Sequence, residues 1–171
     1  MAKKILVGVM GPGPGATDSD IENAYFIGKS IAENAWLLLT GGMPSGVMEA
    51  ASRGAKEAGG LTVGILPVDN SVLASQFVDI PIVTGMGSAR NNINILSSDI
   101  VIACGMGPGT ASEIALAIKG GKQVILLNDM EESLTFFKKL SPQQVLIAEN
   151  PDSVISLVQQ FVDSLSAISI S

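Results

Sequence analysis

The sequence contains no histidine, and its single cysteine is Cys104. One thiol cannot form an internal disulfide, and without histidine the chain also lacks the usual ligands of transition metals. Basic residues number ten against sixteen acidic ones, and no cluster of Lys or Arg is present. These absences argue against a zinc or iron site built by the protein and against a nucleic-acid partner.

Long apolar runs are also missing. The run that follows the N-terminal MAKK is five to six residues long, shorter than the core of a signal peptide or a membrane span. We therefore expect a cytoplasmic protein. Because no linker or composition shift divides the 171 residues, we predict a single domain over residues 1–165, followed by a small polar tail at 166–171 that frays.

What the sequence does contain is a regular alternation of short apolar runs with amphipathic stretches. This alternation is typical of βα units around a parallel sheet. The predicted strands are 5–9, 36–40, 61–66, 100–104, 123–127 and 145–147, with a weaker one at 78–83. The predicted helices are 20–34, 46–58, 88–96, 110–119, 131–140 and 152–165. The fold class is thus α/β: a Rossmann-like, three-layer αβα domain with a mostly parallel, doubly wound sheet of six to seven strands.

Three helix starts carry local signals. Ser19 with Glu22 and Thr110 with Glu113 both have the capping-box spacing. Pro151 stands where the first turn of a helix tolerates proline.

Three of the predicted strands end in glycine-rich loops: GPGPG at 11–15, GGMPSG at 41–46 and GMGPGT at 105–110. A single such loop is equally well explained as a tight turn. Three at one sheet edge, each followed by a helix N-terminus, favour a phosphate-bearing ligand. No loop has the Gly-Lys-Ser/Thr ending of a P-loop, and the second strand ends in Thr40 rather than an acidic residue, which makes NAD unlikely.

Arg90 and Glu113 are the charged candidates for this site. Arg90 lies at the start of a predicted helix in apolar surroundings. Its guanidinium either binds a phosphate through two hydrogen bonds or pairs with an acid at the surface. Glu113 either directs its carboxylate at the third glycine loop or serves only to complete the capping box with Thr110.

Hydroxyl and backbone groups complete the predicted site. Ser45, Ser88 and Thr110 are either hydroxyl donors or helix caps. The methionines near the loops either line a flat ligand or fill gaps in the packing. The predicted ligand-binding residues are Gly11, Gly13, Gly41, Gly42, Ser45, Gly46, Ser88, Arg90, Gly105, Met106, Gly107, Gly109, Thr110 and Glu113.

Several of these segments resemble the motifs of one superfamily. GMGPGTASE at 105–113 is similar to the Pro-Gly-Gly-x-Gly-Thr-x-x-Glu pattern of the LOG proteins, and GGMPSGVM at 41–48 to their Gly-Gly-x-x-x-Gly-x-Met segment. Arg90 falls on the arginine of the family's Arg-Lys pair. The resemblance covers about residues 4–127 and is to the LOG-like Rossmann superfamily, which includes nucleotide phosphoribohydrolases and molybdenum-cofactor carriers.

Departures from the hydrolase pattern bear on function. Asn91 stands in place of the lysine, and Gly105-Met106 in place of Pro-Gly. TGMGSARN at 84–91 resembles instead the short branch that contains the carriers. That resemblance implies binding, without turnover, of an anionic pterin that has a terminal phosphate and brings its own molybdenum.

Two other functions stay open from the sequence. One is an enzyme that hydrolyses nucleoside 5′-monophosphates, in which Glu113 would stabilise the cationic sugar and Arg90 the phosphate. The other is a nucleotide sensor. We favour the carrier over the enzyme. The superfamily also implies a homodimer or homotetramer, assembled through the helices after Gly46 and Ser88, whose apolar residues exceed what one buried face requires.

Overall fold

The computed structural model describes residues 4–128 and 130–168. Its strands are β1 (Leu6–Met10), β2 (Leu37–Thr40), β3 (Thr62–Leu66), β4 (Ile80–Val83), β5 (Ile100–Cys104), β6 (Val124–Leu127) and β7 (Val145–Ile147). Its helices are α1 (Asp18–Glu33), α2 (Gly46–Glu57), α3 (Asn91–Ser97), α4 (Pro108–Lys119), α5 (Glu131–Leu140) and α6 (Pro151–Ile168), and a 3₁₀ turn at Gly87–Arg90 precedes α3.

Over the described residues the strands form one parallel sheet in the order β4-β3-β2-β1-β5-β6-β7. The predicted α/β class and doubly wound topology are confirmed, and the weakly predicted strand is the edge strand β4. From β1 the chain moves outward to β4 and then returns to place β5 on the other side of β1. The strand order therefore reverses between β1 and β5, where such sheets bind ligands at the carboxyl ends of their strands.

Two apolar cores cover the two faces of the sheet. On one face Val7 and Val9 of β1 pack with residues of α1, α2 and α6. On the other face Met10 packs with residues of α3, α4 and α5, including Phe137. Because both faces are covered, the central strands are apolar along their whole length, as β5 shows with five buried residues.

The start of α1 differs from the prediction. Thr17 is the N-cap: its hydroxyl accepts a hydrogen bond from the Asp20 amide at 3.1 Å, and the Asp20 carboxylate accepts one from the Thr17 amide at 2.9 Å. The expected pair of Ser19 and Glu22 is wrong, since Ser19 already lies inside the helix. The two matches to the capping-box spacing overlap in the sequence, and the earlier one forms the cap.

The start of α4 also differs. The helix begins at Pro108 with Gly107 as N-cap, because proline fits the first turn, where no amide donor is needed. Thr110 therefore lies within the first turn, and the expected capping box of Thr110 with Glu113 is wrong. At the start of α6, Pro151 occupies the predicted first position.

The apolar residues of α2 are covered within the chain. Val47, Ala50 and Ala51 are buried, and the helix approaches α1 so closely that a Cβ atom on Gly28 would lie 2.0 Å from the Ala51 carbonyl oxygen. The excess of apolar residues on this helix is thus no sign of a second chain. On the helix after Ser88, Leu96 is 57% exposed.

The last helix continues to Ile168, so residues 166–168 are helical where the sequence predicted a frayed tail. No glycine or proline interrupts that segment. Residues 169–171 of the predicted tail lie outside the described residues. Over the described part of the chain, no helix combines the length and apolar character that crossing a bilayer requires.

Candidate functional site

A cleft of about 450 Å³ opens at the carboxyl ends of β1 and β5, where the strand order reverses. The predicted site residues that line it are Gly11, Gly13, Gly41, Arg90, Met106, Gly107, Gly109, Thr110 and Glu113. The structure thus brings together the first glycine loop, the start of the second, most of the third, the arginine and the glutamate.

Several lining residues were not predicted. They are Met10, Pro12, Pro14, Gly15, Asn91 and Pro108, whereas Met48 is one of the methionines near the loops that the sequence offered as a contact for a flat ligand. The two prolines and Gly15 belong to the GPGPG loop, and Asn91 follows Arg90, so proximity in sequence was a usable signal for these. Met10 and Met48 reach the cleft only through the packing of β1 and α2.

Other predicted residues lie outside the lining: Gly42, Ser45, Gly46, Ser88 and Gly105. Ser88 is exposed in the 3₁₀ turn and borders a separate groove between α3 and α4. The Gly105 amide donates to the Leu127 carbonyl oxygen at 2.8 Å, which fixes the start of the third loop against β6.

The second glycine loop supports the first. Gly46 has φ +53°, and a Cβ atom there would lie 2.2 Å from the Gly13 carbonyl oxygen. The Val47 amide donates to the Pro12 carbonyl oxygen at 3.0 Å. The N-terminus of α2 is therefore occupied by the GPGPG loop, and of the second loop only Gly41 reaches the cleft.

The third glycine loop presents the N-terminus of α4 to the cleft. The first amides of a helix have no partner within it and carry its positive dipole end. The Thr110 side chain is 2% exposed, and its hydroxyl has no hydrogen-bond partner among the described residues. A Cβ atom on Gly109 would meet no atom within 4 Å, so packing does not require glycine there. Unpartnered donors at a helix N-terminus have the chemistry that favours an anion.

The Arg90 side chain is 12% exposed and lies against the second loop. A Cβ atom on Gly41 would come within 2.7 Å of Arg90 Nη2, so the glycine makes room for the guanidinium. Arg90 Nη1 donates to Asn91 Oδ1 at 2.7 Å and lies 3.6 Å from Glu113 Oε1. Burial lowers the pKa of Arg90 and the Glu113 charge opposes that shift. The arginine thus pairs with an acid, as one alternative predicted, but beside the cleft rather than at the surface.

Glu113 is 5% exposed and lies next to the same guanidinium. Burial raises the pKa of its carboxyl to about 6, against the opposing effects of the Asn94 hydrogen bond and the Arg90 charge. The Asn94 amide donates to Glu113 Oε1 at 3.1 Å. The carboxylate is therefore held by two side chains rather than directed freely at the loop.

Methionine side chains and proline rings form the apolar part of the lining. Met10, Met48 and Met106 contact the cleft together with the prolines of the GPGPG loop. Met86, in contrast, is 50% exposed and does not line the cleft. A flat ring system suits such a wall, because thioethers contact aromatic faces favourably.

Cys104 ends β5 immediately before the third glycine loop. Its thiol is buried and donates to the Asp20 carbonyl oxygen at 3.5 Å. Burial raises the pKa of this thiol to about 12. Within residues 4–128 and 130–168, no three Cys, Asp or Glu side chains converge in a way that could hold a metal ion.

Comparison with known proteins places these features in context. The model of the SLOG cluster4 family matches residues 4–155. The structure of the molybdenum cofactor binding protein from the phototrophic bacterium Rippkaea orientalis is 56% identical, covers 95% of this chain and 99% of that one, and superposes with a TM-score of 0.93. The Moco carrier protein from Chlamydomonas reinhardtii is 48% identical, with 95% and 99% coverage and a TM-score of 0.89. An uncharacterized protein from Archaeoglobus fulgidus is 47% identical over 125 residues, which span 73% of this chain and 81% of its own length.

Proposed function

The chain belongs to the SLOG cluster4 family, and we propose that it binds the molybdenum cofactor, a phosphorylated pterin, and carries it without chemical turnover. The similarity to a molybdenum cofactor binding protein and to a Moco carrier protein supports this ligand. The observation that carries the proposal is the buried Thr110 hydroxyl, which lines the cleft at the N-terminus of α4 with no partner among the described residues.

The phosphate of the ligand fits the α4 end of the cleft. The amides of the first turn, the Thr110 hydroxyl and the Arg90 guanidinium can all donate to phosphate oxygens. A buried hydroxyl without a partner costs free energy, and a phosphate oxygen would remove that cost on binding. Arginine adds a charge that persists at any physiological pH.

The pterin ring fits the apolar wall. Met48 and Met106 lie beside the GPGPG loop and provide polarizable contacts for a flat heterocycle. The metal arrives with the ligand as part of the cargo, which is consistent with the protein supplying anion and ring contacts rather than a donor set for molybdenum.

The state of Glu113 favours a carrier over the hydrolase. A carboxylate that stabilises a cationic sugar must face the substrate as a charged group. Here Glu113 Oε1 already accepts from Asn94 and lies beside Arg90. These contacts suit a structural partner of Arg90 within a binding site.

The test is retention of the cofactor under anaerobic conditions. The purified protein is mixed with released molybdenum cofactor, passed through a desalting column and oxidised, and the fluorescence of the pterin product is measured. We expect retention by the wild type and by Asn92→Ala, an exposed neighbour of the site, and loss in Arg90→Ala. Absence of retention in the wild type would contradict the proposal.

A parallel assay addresses the hydrolase. The protein is incubated with a panel of nucleoside 5′-monophosphates and free base is measured, with Glu113→Gln alongside. We expect no release of base. Release that disappears in Glu113→Gln would overturn the carrier function and establish a phosphoribohydrolase.

We also propose that the protein assembles as a homodimer or homotetramer, as the superfamily resemblance implies. Leu96 on α3 supports this, because it leaves a large apolar side chain 57% exposed. Light scattering on the purified protein measures the mass directly, and a monomer at all concentrations would contradict the assembly.

A further inference from the structure

The side-chain amide of Asn91 lies between the Arg90 guanidinium and the first turn of α4. Its Oδ1 accepts from Arg90 Nη1 at 2.7 Å, and its Nδ2 donates to Ser112 Oγ at 3.1 Å. Ser112 Oγ donates in turn to the Gly109 carbonyl oxygen at 2.7 Å. A chain of three hydrogen bonds therefore ties the arginine to the helix end that faces the cleft.

The distances around Arg90 Nη1 show which partner holds it. The contact with Asn91 is a short hydrogen bond, whereas Glu113 Oε1 at 3.6 Å is beyond hydrogen-bond distance. An unconstrained pair of arginine and carboxylate forms shorter hydrogen bonds, which are often bidentate. Asn91 is therefore the closer of the two partners of Arg90 Nη1.

The identity of residue 91 matters for this role. A lysine, which the superfamily pattern has after the arginine, carries three donors and no acceptor, so it could not accept from the guanidinium. Asparagine has both an acceptor for Arg90 and a donor for Ser112, and both are used. Asparagine at position 91 therefore lacks the positive charge of the lysine but accepts a hydrogen bond from the guanidinium of Arg90.

A further donor of the guanidinium lacks a partner in the described part of the chain. Arg90 Nε has no hydrogen-bond partner among the described residues, and Nη2 lies against the Gly41 backbone at the edge of the cleft. We propose that Asn91 is a positioning residue, which keeps the Arg90 guanidinium from a closer contact with Glu113 than their 3.6 Å ion pair, so that its free donors meet the phosphate of the ligand. This inference rests on the proposed function for the identity of the ligand, but the positioning itself is testable without it.

The first experiment uses the protein with no ligand. Asn91→Leu keeps the volume of the side chain approximately while it removes both hydrogen bonds, and Asn92→Leu is the matched control on the same helix. The pKa of Glu113 is measured by NMR on protein labelled with ¹³C at the glutamate carboxyl groups. We expect Asn91→Leu to lower the pKa of Glu113, because the guanidinium moves onto the carboxylate, and Asn92→Leu to leave it unchanged. An unchanged pKa in Asn91→Leu would overturn the positioning role.

The second experiment measures affinity for the molybdenum cofactor. We expect about tenfold weaker retention in Asn91→Leu, the size of one lost charge-assisted hydrogen bond. In Asn91→Leu/Glu113→Gln the competing carboxylate is gone, so affinity should return to that of Glu113→Gln alone. Equal affinity of Asn91→Leu and the wild type, or no recovery in the double variant, would contradict the inference.

The two experiments separate the two proposals. A wild type that retains no cofactor refutes the proposed function, while the pKa of Glu113 still decides whether Asn91 holds the arginine. If Asn91→Leu does not fold, Ser112→Ala replaces it. Ser112 is exposed, and its removal breaks the hydrogen bond that Asn91 Nδ2 donates to Ser112 Oγ. It should shift the pKa of Glu113 in the same direction by a smaller amount, and no shift would overturn the role.

Discussion

The Asn94 side-chain amide donates a hydrogen bond of 3.1 Å to Oε1 of Glu113, and this bond joins α3 to α4 beside the cleft. The two helices pack on the same face of the sheet. Asn94 and Glu113 are both nearly inaccessible to water, so the carboxylate depends on this bond and on Arg90 for the stabilisation of its charge. The ionisation of Glu113 is therefore linked to the stability of the fold.

The first prediction concerns pH. Burial raises the pKa of Glu113 from 4.5 to about 6, so the folded protein keeps a proton that the unfolded chain has already released. The resulting stabilisation is complete below pH 4.5 and is lost as the pH rises through about 6, an effect of about 2 kcal/mol. The test is chemical denaturation of the wild type and of Glu113→Gln at several pH values. As the pH rises from 4.5 to about 7, the free energy of unfolding of the wild type should fall relative to that of the variant. Parallel curves, or a relative rise, would contradict this.

The second prediction concerns the unpartnered hydroxyl. Thr110→Val keeps the shape of the side chain and removes a polar atom that has no partner among the described residues. The free energy of unfolding should be unchanged or higher, because no internal hydrogen bond is lost. Affinity for the phosphorylated pterin should fall about tenfold. Thr110→Ser, which keeps the hydroxyl, is the control, and equal affinity in Thr110→Val and the wild type would place the phosphate elsewhere.

The third prediction separates binding from stability at Gly109. Alanine at this helical position meets no atom within 4 Å and should raise the free energy of unfolding by about 0.5–1 kcal/mol. Because Gly109 lines the cleft, we expect cofactor retention to fall. Ala115→Gly, at an exposed position of the same helix, should lower stability and leave retention unchanged. A Gly109→Ala variant that is both more stable and fully competent would show that the ligand does not approach the first turn of α4.

The fourth prediction tests the contact between the first two glycine loops. Gly46→Ala places a Cβ atom 2.2 Å from the Gly13 carbonyl oxygen at a φ of +53°. Gly59→Ala has a similar φ of +78° with no atom within 4 Å, so it should cost only the backbone strain of roughly 1–2 kcal/mol. We expect Gly46→Ala to lower the free energy of unfolding by more than this control does, as measured by urea denaturation. Equal losses would mean that the loops are not in tight contact.

Much of the fold could be predicted because its strands are apolar on both faces. A run such as Ile100–Cys104 has few alternatives to a buried parallel strand, and its predicted limits match β5. Helix starts were harder to predict, because local signals overlap. The segment from Thr17 to Glu22 contains two capping-box spacings, and the one from Thr17 to Asp20 forms the cap. At α4 the prediction favoured Thr110 over the proline that starts the helix.

The site was predictable only in part. The glycine loops, Arg90 and Glu113 stand out by residue type, and they line the cleft except for Gly105 and the part of the second loop after Gly41. Whether a glycine faces a ligand or a neighbouring loop depends on how α2 docks on the GPGPG segment, which no local pattern encodes. The same holds for Asn91 and Asn94, whose partners are 21 and 19 residues away in sequence.

The burial of Cys104 has a chemical consequence for the proposed binding of a molybdenum cofactor. Thiolates are strong ligands for soft transition metals and are also the form of cysteine that oxidants attack. A thiol whose pKa is raised to about 12 stays protonated at any physiological pH. The sole sulfhydryl of the chain lies directly before the third glycine loop. Under the proposed function, this protonated thiol would neither bind the molybdenum of the ligand nor be readily oxidised.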